Sequence, residues 1–321
     1  MIFRRPCYYD KFKCTADKCT DNCCIGWEIC IDKDTAAFYR SVSGDFGVRL
    51  KENINTDDEP SFILKDERCP FLNKNNLCDI IINLGENAIC QICRDHPRWF
   101  EWYGNEKEGG IGLSCEEGAR LILTEESFAD YFEDDVDDEP DTDFDEAAYS
   151  FLLNVREGIF DILCDEELSF TDKADSILEL CSNAEARLNG VEAASPSTFD
   201  FNTELAKALP ILAQTEPIDE KWTTEFERLK AKNPDLKTDS DDEKYLTRLL
   251  AYFVWRYFLT AVFDYCVTEK ICFALFSVTV IYALYNSDTK KSFDSLLNSA
   301  VLYSKQMEYS RENLDIFFSF C

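Results

Sequence analysis

Apolar residues recur three and four positions apart through much of the second half of the chain. Residues 147–163, 171–188, 201–213 and 221–230 each carry such a stripe, the spacing that places side chains on one face of an α-helix. Thr171 and Thr203 stand where helix N-caps are expected. Residues 245–285 are the most apolar stretch, but Arg256, Asp264, Glu269 and Lys270 interrupt it. No clean run of about twenty apolar residues is left for a bilayer, so the pattern predicts two buried helices and no membrane partner. A last helix is predicted over 292–317. The front of the chain differs: 61–65 predicts a short strand, and Ser114 ahead of CEEGARLIL predicts a capped helix with acids in its first turn. The rest of that region, rich in Cys, Asn, Asp and Gly, has no sustained period. Between the two regions, residues 130–146 hold eleven acids in seventeen positions around Pro140. They predict a linker or solvated loop, without the Gly and closing Glu of an EF-hand.

These patterns give a mainly α fold. An irregular, cysteine-rich, metal-organised module over 1–125 is followed by an acidic linker over 126–146. An all-helical module over 147–321 completes the chain, with the first module packed on it.

Charge narrows the partners. The 321 residues carry 33 Lys and Arg against 63 Asp and Glu, a net charge of −30. Such a surface repels a phosphate backbone, which excludes nucleic acid. An apolar share of 45% argues against disorder despite that charge. The excess is uneven: up to Arg120 there are sixteen basic and twenty-one acidic residues.

Sixteen cysteines change the picture most, because eleven lie in the first 115 residues. The opening MIFRRPCYYDKFKC has no apolar run of signal-peptide length. The expected compartment is therefore the reducing cytoplasm, where clustered thiols bind metal more often than they form disulfides. CTADKCTDNCC holds Cys14, Cys19, Cys23 and Cys24; then come Cys69, Cys78, the CxxC of Cys90 and Cys93, and Cys115. Thiolates suit zinc or iron–sulfur centres and disfavour hard cations. Consecutive side chains diverge in extended or helical backbone, so Cys23 and Cys24 are not expected to share one small ion. His96, the single histidine, reads as structural in preference to a ligand in a mixed site. Cys164, Cys181, Cys266 and Cys272, on helical patterns, read as small core hydrophobes; Cys7, Cys30 and Cys321 stand outside the tight spacing.

The order FKCTADKCTDNCCIGWEICID, RCPFLNKNNLC, LGENAICQICRDHPR, LSCEEGARLIL resembles the flagellin lysine-N-methylase family, within the broader cysteine-rich zinc- or iron-chelating domains. The resemblance extends faintly to MEYSRENLD near the end. The family pattern matches at Cys14, Cys19, Cys23, Cys24, Cys69, Cys78, Cys93 and Cys115, with Cys90 as a further position. Glu116 departs from it, since a proline is expected after the cysteine. The resemblance implies methyl transfer from S-adenosylmethionine to lysines of flagellin, with a [4Fe–4S] cluster; zinc is the alternative metal.

The residues test that implication in part. The chain has no glycine-rich strand–turn–helix of a conventional methyltransferase and no CxxxCxxC, since Gly26 stands at the third position. A base for the acceptor amine is sought among Asp95, Glu101 and Tyr103, and Arg98 is the candidate for holding the cofactor carboxylate in a bidentate pair. Trp27, Trp99, Phe100, Trp102 and Tyr103 are candidates for a cage around a methylated ammonium. Two rivals stand beside the enzyme: a zinc-stabilised structural or interaction protein, and an iron–sulfur redox sensor.

Overall fold

The computed structural model describes residues 1–55, 59–138, 140, 145–195 and 198–319. In the front region the elements run β1 (Ile2–Pro6), α1 (Lys33–Ser41), α2 (Gly44–Glu52), β2 (Ile54–Asn55), β3 (Ser61–Phe62), α3 (Asp79–Leu84), α4 (Gln91–Asp95), β4 (Arg98–Tyr103), β5 (Glu106–Ile111) and α5 (Glu116–Thr124). There follow β6 (Tyr131–Asp135), α6 (Glu146–Cys164), α7 (Phe170–Asn189), α8 (Phe201–Leu212), α9 (Glu220–Lys232), α10 (Ser240–Tyr257), α11 (Val267–Ser287), α12 (Phe293–Glu308) and α13 (Arg311–Phe318). The fold is mainly α with an irregular cysteine-rich region, as the pattern predicts.

Two compact units divide the chain. One comprises Met1–Phe12, Phe100–Ser114 and Gly118–Cys321; the other comprises Lys13–Trp99 and Cys115–Glu117. The predicted boundaries at 125 and 146 differ from this division because a four-stranded sheet, ordered β4-β5-β1-β6, draws early segments into the helical unit. β1 runs parallel to β5, with Phe3 opposite Lys107, and antiparallel to β6, with Arg4 opposite Glu133. The acidic run therefore contributes a strand where a loop is expected. Its charge is met by β1: Arg4 Nε lies 2.5 Å from Glu133 Oε1, and Arg5 reaches Asp134 at 2.6 Å. The rest of the predicted linker lies partly outside the described residues.

In this unit the helices predicted from the stripes over 147–163, 171–188, 201–213 and 221–230 form within two residues of their expected ends, but two caps move. Ser169 caps α7 by accepting from Asp172 N–H, and Asp200 caps α8 by accepting from Thr203 N–H, in place of Thr171 and Thr203. The helix predicted over 292–317 is two, because Ser310 opens a new one by accepting from Asn313 N–H. α11 is long and apolar enough to cross a membrane, and 83% of its apolar window is buried inside the protein, as befits a core helix that is apolar all round.

The other unit has little regular structure. Its core is Ile29, Ile31, Tyr39, Leu50, Phe62, Phe71 and Ile80 with two of the cysteines, and Tyr39 Oη donates to Ala88 O at 2.7 Å. The predicted strand 61–65 shrinks to the two residues of β3, paired with β2.

Candidate metal centre

Backbone bonds bring distant cysteines of the second unit together. Cys69 N–H donates to Cys24 O at 2.9 Å and Gly26 N–H to Glu67 O at 2.9 Å, so the CCIG and ERC segments pair. The RCPFLNKNNLC segment doubles back: Leu72 bridges Cys78, and Asp79 N–H donates to Phe71 O at 2.8 Å. Cys78 then stands at the N-terminal boundary of α3, and Cys90 at that of α4, one turn ahead of Cys93. Asp32 fixes this last segment, accepting from Thr35 N–H at 2.9 Å and from Gln91 N–H at 2.8 Å.

The result is a buried thiol core. Cys69 and Cys90 belong to the hydrophobic core, Cys24, Cys78 and Cys93 pack against it, and all five are free thiols. The sulfurs of Cys90 and Cys93 are 3.4 Å apart. Burial pushes the Cys69 thiol up to about 11 and raises Cys78, while backbone N–H groups of Phe71 and Leu72, and of Ile80 and Ile81, pull the two down. In the pairs Cys23–Cys24 and Cys90–Cys93 a hydrogen bond between sulfurs holds Cys23 and Cys90 low and drives Cys24 and Cys93 high. Cys23 and Cys24 stand side by side in the CCIG segment. The segment is a turn, closed by Ile25 N–H to Asn22 O at 3.2 Å and by Gly26 at φ +88°, and is neither extended nor helical.

A second group borders Cys23. The His96 ring helps hold its thiol low, and His96 Nε2 is buried without a hydrogen-bond partner among the described residues. Trp27 donates its indole N–H to Cys23 O and lies 5.9 Å from the His96 ring, which accounts for the Trp of CCIGW. Cys19 donates to Asp21 O at 3.1 Å and lies 3.7 Å from Glu116 Oε2. Glu116 accepts the backbone N–H and the hydroxyl of Thr20, each at 2.7 Å, and thereby ties the residue beside Cys115 to the Cys19 loop. Cys14 stays exposed, its sulfur accepting the local N–H of Ala16 at 3.4 Å.

The donor set fits a thiophilic centre. Buried free sulfurs that raise one another's affinity for protons, with N–H groups aimed at them, are stabilised by a soft cation or a cluster. Among the described residues, the group of three ligand atoms lying within 4.8 Å of one another is elsewhere: Asp264, Cys266 and Glu269, whose charge the Lys270 ammonium already meets at 2.6 and 3.1 Å. Of the cysteines read as core hydrophobes, Cys181 is fully buried and Cys272 half-buried, but Cys164 and Cys266 are exposed. Cys7 is buried and donates to Ser127 O at 3.1 Å, and Cys30 is exposed. Cys321 lies outside the described residues.

The other candidates separate. Gln91 Nε2 donates to both oxygens of Asp95 at 2.8 Å, in the same unit as Arg98. Tyr103 belongs to the other unit, stacked on Tyr149 and Phe263 at 5.1 and 5.8 Å, and burial pushes its phenol well up, which disfavours it as a base. Burial also raises Glu101, against the pull of Arg256. Of the candidate cage aromatics, Trp27 covers His96 in one unit, while Phe100 and Trp102 flank Lys107 in the other. Glu116, marked in the sequence only as a departure from the family pattern, and His96, read there as structural, are the residues set beside Cys19 and Cys23.

The chain is 30% identical over 128 residues to a lysine-N-methylase of Salmonella typhimurium and, equally, to one of Salmonella choleraesuis; the match takes in 37% of this chain and 32% of each relative. It is 30% identical over 128 residues to the flagellar biosynthetic protein FliU of Salmonella muenchen, covering 76% of that protein. The chain thus spans about a third of the length of the lysine-N-methylases it matches. No protein-family profile matches it, and no solved structure does.

Proposed function

The chain belongs to the flagellin lysine-N-methylase family, and on that premise we propose that it is a protein lysine N-methyltransferase, with S-adenosylmethionine as methyl donor, flagellin as acceptor and an iron–sulfur centre in the thiol core. The observation that carries this reading is the gathering of Cys24, Cys69, Cys78, Cys90 and Cys93 as free thiols around one buried core. A centre bound there would hold the sulfurs as thiolates and add its binding free energy to folding. Cys19, which Glu116 holds near its neighbour Cys115, and Cys23, next to Cys24, are the further candidate donors. In the transfer, the lone pair of a neutral lysine amine attacks the sulfonium methyl carbon, the S–CH3 bond breaks with its electrons on sulfur, and the amine proton passes to a base. Asp95, oriented by Gln91, is the candidate base, and Arg98 the candidate for the donor's carboxylate.

Anaerobic purification with metal analysis, followed by incubation with methyl-labelled S-adenosylmethionine and flagellin, tests the proposal. Brown protein containing iron and acid-labile sulfide, and label on flagellin lysines, is the expected result. Cys69→Ser or Cys90→Ser should remove both the centre and the label, whereas Cys181→Ser should keep both. Colourless zinc-loaded protein that transfers no label would refute the enzyme in favour of a structural zinc protein, the reading that Cys23 beside His96, a mixed donor pair suited to zinc, favours.

A further inference from the structure

Lys107 sits in a cage. Its Nζ lies 4.6 Å from the ring centroids of both Phe100 and Trp102 and 5.9 Å from that of Phe3, and donates to Asp138 Oδ2 at 2.8 Å. The Trp102 indole N–H points at the same carboxylate oxygen from 3.4 Å. All four strands of the sheet converge on this point: Phe3 comes from β1, Phe100 and Trp102 from β4, Lys107 from β5, and Asp138 from just beyond β6. Gly109 lets the rings close, because a Cβ there would meet the Phe3 ring at 2.8 Å and the Phe100 ring at 3.1 Å. The Lys107 side chain keeps 18% of its exposure and that of Asp138 36%, so solvent reaches the cage.

Aromatic faces and a carboxylate arranged around an ammonium are the recognition chemistry of lysine and of N-methylated ammonium groups. We propose that this cage binds a methylated lysine side chain of a protein partner, and that Lys107 fills it as a built-in competitor while no partner is bound. The choice of a methylated lysine as the natural guest rests on the methyltransferase reading; the cage and its occupant do not. A methylated ammonium has fewer hydrogen-bond donors to desolvate than the Lys107 ammonium, and its methyl groups lie against the rings, which gives the guest the means to displace it. Asp134, Asp135, Asp137 and Asp138 along and beyond β6 favour a cationic guest, although Asp134 is paired with Arg5.

The test titrates the full chain with Nα-acetyl-Nε-trimethyl-lysine amide by calorimetry, and with the unmethylated amide in parallel. Lys107→Ala should bind the trimethylated probe at least about tenfold more tightly than the wild type, and more tightly than the unmethylated one. Adding Trp102→Ala should abolish that binding; if that variant fails to fold, Phe100→Leu in the same background takes its place. In the wild type, the Lys107 side-chain Cε proton signals should be shifted upfield by ring currents and move toward ordinary positions as the guest enters. Equal affinity of Lys107→Ala and wild type, binding that survives loss of the ring, or equal affinity for the two probes would overturn the proposal. Neither readout needs methyl transfer, so a protein that binds but does not methylate refutes the enzyme alone, and one that methylates without this binding refutes the cage alone.

Discussion

Replacing Glu108 by Gln would leave a guanidinium buried without its counter-charge. Arg156 donates to Glu108 Oε2 at 2.7 Å and to Oε1 at 2.6 Å, and the two side chains are 0% and 1% exposed. The guanidinium lies 4.3 Å above the Trp255 ring, and its Nε is buried without a hydrogen-bond partner among the described residues. Arg4 approaches Glu108 only to 3.9 Å and has Glu106 and Glu133 of its own, so the loss falls on Arg156. Breaking a buried pair by removing one partner costs about 3–5 kcal/mol. Gln keeps a carbonyl that accepts one of the two bonds, which puts Glu108→Gln near the lower end, about 3 kcal/mol. At about 2–4 °C per kcal/mol for a unit of this size, Tm should fall by about 6–12 °C. Glu108→Leu combined with Arg156→Met should regain most of the loss, because both desolvated charges and the orphaned Nε go together. Urea and calorimetric melts of the full chain, arranged as a double-mutant cycle, measure this. A cost below about 1 kcal/mol for Glu108→Gln, or a double variant that loses the sum of the single ones, would show that the pair does not hold sheet and helix together.

Two further outcomes are expected. Glu116→Ala removes the acceptor of two bonds from Thr20 and should cost about 1–3 kcal/mol locally; hydrogen exchange at the Thr20 amide should accelerate, and unchanged protection would show that the loop holds itself. Burial pushes the Glu125 carboxyl up, but the Lys11 ammonium and the N–H groups of Ser127 and Glu126 outweigh it and hold it low. A carboxyl lowered by folding stabilises above its ordinary value, about 4.3, and loses that contribution as pH falls through its lowered value. The stability gap between the wild type and Glu125→Gln should therefore be constant near neutrality and close below about pH 4; denaturant melts across pH 2.5–7 check it, and a gap unchanged at low pH would show the carboxylate charge to be irrelevant.

Much of this protein is legible locally. The periodic stripes mark α6 to α9 to within two residues, since a helix face depends on residues three and four apart. Residue type alone likewise sets the soft-donor character of the front region, because sulfur chemistry does not depend on where the chain goes. What local pattern misses is pairing over distance. Glu108, in the charged run EKE, carries no local sign of burial, and is buried because Arg156 arrives from a helix 48 residues on. The acids of β6 look like a solvated loop, and become a strand because Arg4 and Arg5 lie opposite them.

The thiol core divides in the same way. That cysteines would gather could be read from their density, but that Cys24, Cys69, Cys78, Cys90 and Cys93 share a core while Cys14 stays outside follows from the backbone pairing of CCIG with ERC and from the doubling back of residues 69–78. The turn at Gly26, with its φ of +88°, carries Trp27 back over Cys23, where its indole N–H donates to Cys23 O. The sequence by itself therefore determined the helices and the kind of atom offered to a metal. Tertiary structure decided which of those atoms meet and which charges are shut away from water, since both depend on contacts between residues tens of positions apart that no short-range period encodes.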